Sequence, residues 1–136
     1  MTKEYIGVKK VTAWEEDRHG QAGYAVKYED GYVSWCPKDA FEKSYLCVGD
    51  SGVNKINIDT VQLMMGNVQS NQLDEKTTHV KSTALTGFVT HEVSSCVDPA
   101  NYDQELGTQI ATHRIQDKLW GHLGFVLQWA LNGIKR

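Results

Sequence analysis

The chain has no long apolar run, no basic run and no cysteine framework, and each absence removes a class of protein. No stretch approaches the roughly 20 apolar residues of a membrane span, and the opening MTKEYIG lacks a signal-peptide core. No membrane partner is expected. Lysines and arginines are scattered, 14 against 17 acidic residues, for a net charge of −3 and a pI of about 5.9. That balance disfavours a nucleic-acid partner and a polyphosphate surface. Cys36, Cys47 and Cys96 are odd in number and widely spaced. They read as reduced thiols, with neither a disulfide framework nor a zinc site.

Catalytic signatures are missing too. No Gly-rich phosphate loop stands between a strand and a helix, and no metal-ligand spacing occurs. The five histidines are dispersed. His113 and His122 are too far apart for a helical metal pair, whose ligands sit about three or four residues apart. No nucleophile-elbow motif is present. A Cys96–His91 dyad at a strand tip is conceivable, against the plainer reading of a half-buried thiol and a solvent-facing imidazole. The expectation is a binding protein that is not an enzyme, with no cofactor and no metal.

What is present supports one small α+β domain over residues 1–136. Hydrophobic residues make up 40%, including four Trp, six Tyr and three Phe, enough for a modest core. Residues 5–16 alternate as a strand should. YAVKYE and YVSWC flank Asp30-Gly31, a two-residue hairpin signal that needs positive φ at both turn positions. Pro37 suits the first position of a short helix over KDAFEKSYL. Residues 1–47 therefore read as a three-stranded sheet plus a helix. VGDSGVNKIN (48–57) reads as a linker. Asp59 is placed to cap a helix from Thr60 to about Ser70. TTHVKSTA and FVTHEVSS form a second hairpin around Leu85-Thr86-Gly87. Together the two hairpin units give an antiparallel sheet packed with C-terminal helices, the second hairpin and those helices occupying 76–136.

The stretch SSCVDPANYDQELGTQIATHRIQDKLW (94–120) organises the rest. Asp98-Pro99 suits a helix start. At about 100° per residue, Tyr102, Leu106, Ile110, Ala111, Ile115, Leu119 and Trp120 form one broad apolar arc. Glu105, Gln109, Thr112 and Gln116 fill the gap and should face water. Asp103, Gly107, Arg114 and Lys118 point into the middle of the arc. A buried cation needs an anion. Either Arg114 pairs with Asp103 or Asp117, or Arg114 and Lys118 hold an anionic ligand such as a phosphate. Gly107 allows close backbone approach. Gly121 and Gly124 should bend or break the helix, and Asn132-Gly133 should stop it. The final segment, with Leu123, Phe125, Val126, Leu127, Trp129, Ala130 and Leu131, is apolar nearly all round, which predicts an oligomer.

The segments YIGVKKVTAW, GYAVKYEDGYVSWCPKDAFEKSYL, DEKTTHVKSTALTGF and the 94–120 stretch with GFVLQ after it resemble a family of small phage proteins. That family is similar to the first-described class of Thoeris anti-defence proteins. The resemblance implies a non-enzymatic sponge acting in the host cytoplasm. It would bind glycocyclic ADP-ribose, or cyclic oligonucleotides of CBASS immunity, as a dimer or a trimer of dimers. Phe88 would stack on a base, following a family Asn-Gly-Phe in which Thr86 here replaces the asparagine. Arg114 stands where relatives carry Lys or Arg. Cys36 replaces a serine, and Ala111-Thr112 also departs from the pattern. The candidate ligand-binding residues are Phe88, Asn101, Gln109, Arg114 and Lys118.

Overall fold

A computed structural model describes all residues, 1–136. The fold is α+β, with two three-stranded antiparallel sheets of order β1-β2-β3 and β4-β5-β6. The chain divides into two compact units, Met1–Lys55 with Phe125–Arg136, and Ile56–Gly124.

In the first unit, β1 (Thr12–Glu15), β2 (Gly23–Lys27) and β3 (Val33–Pro37) precede α1 (Lys38–Ser44). The strand expected over 5–16 is confined to its last residues, because β1 meets β2 only from Thr12 to Glu15 and Tyr5 and Ile6 remain exposed. The hairpin exists, but its turn differs from the expected one. Gly31 has positive φ and Asp30 does not. Gly31 N–H donates to Tyr28 O at 3.0 Å, and Tyr28 N–H donates to Tyr32 O at 2.9 Å. This is the three-residue loop, a turn followed by a left-handed residue, in place of the two-residue one. Pro37 ends β3 and precedes α1 with ψ 146, so the helix starts one residue later than expected. The side chains of Tyr24, Phe41 and Tyr45 stack in series, and Ala25 and Val26 of β2 are buried.

Residues 45–57 form no regular element, as the linker reading requires. In the second unit α2 spans Ile58–Met64. Its cap is Asn57, whose Oδ1 accepts from Thr60 N at 2.9 Å, so Asp59 sits in the first turn and not at the cap. The helix does not reach Ser70. Gly66 adopts φ 64, and a Cβ there would run into the Thr83 carbonyl. From Asn67 to Asp74 the chain instead forms β4, exposed along its whole length.

β5 (Thr77–Thr83) and β6 (Val89–Ser95) form the expected second hairpin. Its loop repeats the first one, with Gly87 N–H donating to Ala84 O and Ala84 N–H to Phe88 O. Asp98 caps only a 3₁₀ turn, Pro99–Asn101. The long helix α3 starts later, at Gln104, with Asp103 Oδ1 accepting from Leu106 N at 3.2 Å. It then runs unbroken to Asn132. Gly121 and Gly124 cost helix propensity, but neither sits in a strained or crowded position, so the ladder continues through both. Gly133 ends the helix as expected, with φ 64 and its N–H on Trp129 O.

The buried face of α3 is narrower than the sequence arc. Within the helix, only Gly107, Ala111, Ile115, Leu119 and Leu123 are buried. These residues, four apart, form one row that lies on the sheet. Beneath them β5 turns in Thr78, Val80 and Ser82, all essentially inaccessible. Thr78 Oγ1 pairs with Tyr102 OH at 2.8 Å, and Ser82 Oγ donates to Met65 O at 2.7 Å, which satisfies both buried hydroxyls.

Candidate functional site

A row of α3 residues, Leu106, Ile110, Arg114, Lys118 and His122, flanks the buried row one position earlier at each turn. This row runs beside β6, an edge strand of its sheet. The opposite flank faces β4, as the hydrogen bond between Thr108 and Ser70 shows. Thr112 and Gln116, on that flank, are half-buried, whereas Glu105 and Gln109 face water.

Arg114 and Lys118 are exposed flank residues, not the centre of a buried face. The stripe of contact with a sheet is one row wide, so a residue one position off it reaches solvent. Arg114 Nη1 donates to the Val93 carbonyl at 2.8 Å. Neither expected internal partner engages it. Asp103 caps the helix, and Asp117 lies 3.8 Å from His113 Nε2. No carboxylate comes within 4.0 Å of the Arg114 guanidinium. Lys118 does have one, with its Nζ 3.1 Å from Glu92 Oε2. Glu92 turns toward the helix side of β6 because alternate residues of a strand share a face.

Phe88 follows the β5–β6 turn and is 64% exposed, its ring edge-on to His122 at 6.0 Å and 83°. It therefore lies at the far end of the row that carries Arg114 and Lys118, one helical turn past Lys118. At the near end, a cleft of about 220 Å³ is lined by residues that include Lys76, Ser95, Cys96, Asn101, Leu106 and Ile110. Arg114 is one helical turn beyond Ile110. Four of the five candidates thus fall along one flank. Gln109 does not, since it projects from the row of Glu105 and His113 into solvent.

The Cys96–His91 dyad does not form. Cys96 Sγ donates to Asp98 O at 3.3 Å, and His91 Nδ1 lies 2.8 Å from His79 Nε2. Residues missed in the sequence are His122, Glu92 and the Val93 carbonyl. Stepping four residues on from Arg114 and Lys118 would have reached His122. The strand partners had no such signal, because which strand lies beside the helix depends on tertiary packing.

No curated protein and no solved structure matches this chain. The profile of the Phage protein (N4 Gp49/phage Sf6 gene 66) family matches residues 43–131, from α1 through most of α3. No helix is long and apolar enough to cross a membrane. With its second sheet and the candidate flank inside the matched span, the chain belongs to the Phage protein (N4 Gp49/phage Sf6 gene 66) family.

Proposed function

We propose that this phage protein binds and sequesters a cyclic nucleotide immune signal without degrading it. Glycocyclic ADP-ribose is the first candidate ligand and cyclic oligonucleotides are the second, both met in the host cytoplasm. The observation that carries the reading is Arg114. Its guanidinium is oriented by a backbone carbonyl, has no carboxylate partner and keeps further N–H donors free for a phosphate. Lys118, already paired with Glu92, stands one turn away and offers its remaining N–H donors, Phe88 offers an exposed ring for a base, and Asn101 lines the neighbouring cleft. Gln109 joins only if a second subunit brings the ligand to its face.

A homo-oligomer, a dimer or a trimer of dimers, belongs to the same reading, supported by Phe125 and Val126 left exposed near the end of α3. Those two side chains equally support the alternative of an accessory protein that binds another protein and no small molecule. Calorimetric titration with glycocyclic ADP-ribose separates the two. The sponge reading requires saturable heat, with affinity lowered at least tenfold in Arg114→Ala. No heat with any cyclic nucleotide leaves the protein-interaction reading.

A further inference from the structure

His79 and His91, dispersed in the sequence, meet on the open face of the second sheet. In the β5–β6 register His79 stands opposite Val93 and His91 opposite Lys81, so the imidazoles are diagonal neighbours. Both belong to the set of alternate residues turned away from α3. Their rings stack at 24° with centroids 5.1 Å apart, and His79 Nε2 lies 2.8 Å from His91 Nδ1. The two nitrogens face each other on strands whose spacing is set by the ladder.

We propose that this pair chelates a borderline divalent transition-metal ion, of the Zn²⁺ or Cu²⁺ kind, through His79 Nε2 and His91 Nδ1. Neutral imidazole suits these ions, whereas Mg²⁺ and Ca²⁺ select oxygen. Metal–nitrogen bonds of about 2.0–2.1 Å at a roughly tetrahedral angle set the two nitrogens about 3.3–3.4 Å apart. The rings need to open by only about half an ångström from their hydrogen-bonded positions, which small side-chain rotations provide. The donor ring shifts to its other neutral tautomer, its proton passing through solvent to the remote ring nitrogen, and the metal takes the vacated place between the rings. No third His, Cys, Asp or Glu completes a set there, so water fills the remaining positions. Lys81, opposite His91 on the same face, opposes a cation, while Asn71, opposite His79, adds only a neutral amide. The site is therefore weaker than a closed three- or four-ligand one. It shares no residue with the Arg114 flank.

The test is titration of the full chain with zinc chloride, followed by calorimetry and by nitrogen-15 NMR of the imidazoles. One equivalent should bind, with the His79 and His91 ring resonances shifting together and those of His113 and His122 unmoved. His79→Gln and His91→Gln should each lower affinity at least tenfold, with sheet content checked by circular dichroism. His113→Gln should leave affinity unchanged. Absence of saturable binding, or binding that leaves the two ring signals in place, overturns the proposal. The NMR readout on the unmodified chain decides the matter even if a variant misfolds.

Discussion

Gly107 of α3 lies so close to the Thr78 side chain of β5 that no Cβ could be accommodated. Thr78 cannot yield, because it is fully buried, β-branched and tied through its hydroxyl to Tyr102. The helix therefore seats on the sheet through a glycine, and Arg114 and Lys118 are set along β6 as a consequence.

Gly107→Ala should for that reason destabilise the protein, although alanine is the better helix former by about 1 kcal/mol. Overpacking a rigid contact costs about 1–3 kcal/mol, so the net loss should be up to about 2 kcal/mol. Chemical denaturation of the two proteins measures it. A stabilised Gly107→Ala would mean the helix is not seated on Thr78.

The width of the buried stripe explains what the sequence did and did not disclose. Ala111, Ile115 and Leu119 were legible as core from their spacing. Leu106 and Ile110, equally apolar, are exposed, and Arg114 with them, because a helix on a flat sheet buries one row. β4 was illegible for another reason. NVQSNQLD has no alternation, and its place in the sheet comes from backbone pairing with β5. Val61, Leu63, Met64 and Val68 imitated one helix across Gly66. The places of the two hairpins and the Gly133 stop were legible because their signals are local, although the Asp30-Gly31 turn proved to be a three-residue loop. The partners Glu92 and Val93 were not, since only the tertiary arrangement brings them to α3.

Arg114→Ala separates a structural role from a ligand role. The side chain is exposed and gives up one bond to a carbonyl, so apo stability should change by no more than about 1 kcal/mol. Loss of a charge-assisted bond to phosphate should weaken ligand binding by about 1.5–3 kcal/mol, or roughly 10- to 150-fold. Thermal melts with and without glycocyclic ADP-ribose on both proteins give the two quantities. A large apo shift with unchanged affinity would assign Arg114 to folding alone.

Asp74 makes stability pH-dependent. Its Oδ1 accepts the Lys76 backbone N–H at 3.0 Å. That bond, followed by one from the Thr77 hydroxyl, holds the carboxyl below the usual carboxylate value. A folded-state pKa below the unfolded one stabilises the fold above the unfolded value, and the contribution disappears as pH falls through the folded one. Asn at this position keeps an acceptor for Lys76 but cannot titrate. The stability gap between the unmodified chain and Asp74→Asn should hold at neutral pH and shrink in acid, below the usual carboxylate range. Urea midpoints at pH 7 and pH 3 check this, and an unchanged gap would rule Asp74 out as the titrating group.

Phe125 is 72% exposed on α3. If this end of the helix is covered by a second copy, light scattering at micromolar concentration should give at least a dimer. Phe125→Asp should shift it toward monomer with the fold retained. A clean monomer for the unmodified chain would dismiss self-association.

In the proposed function the protein holds a cyclic nucleotide without altering it. The direct measurement is to incubate the protein with a panel of cyclic nucleotides and remove unbound ligand by filtration. The protein is then denatured by heat and the released material analysed by mass spectrometry. One ligand, glycocyclic ADP-ribose before the cyclic oligonucleotides, should be retained by the unmodified chain and recovered with its mass and ring intact. Recovery of an opened ring or a product lacking phosphate, or retention of nothing from the panel, would contradict it.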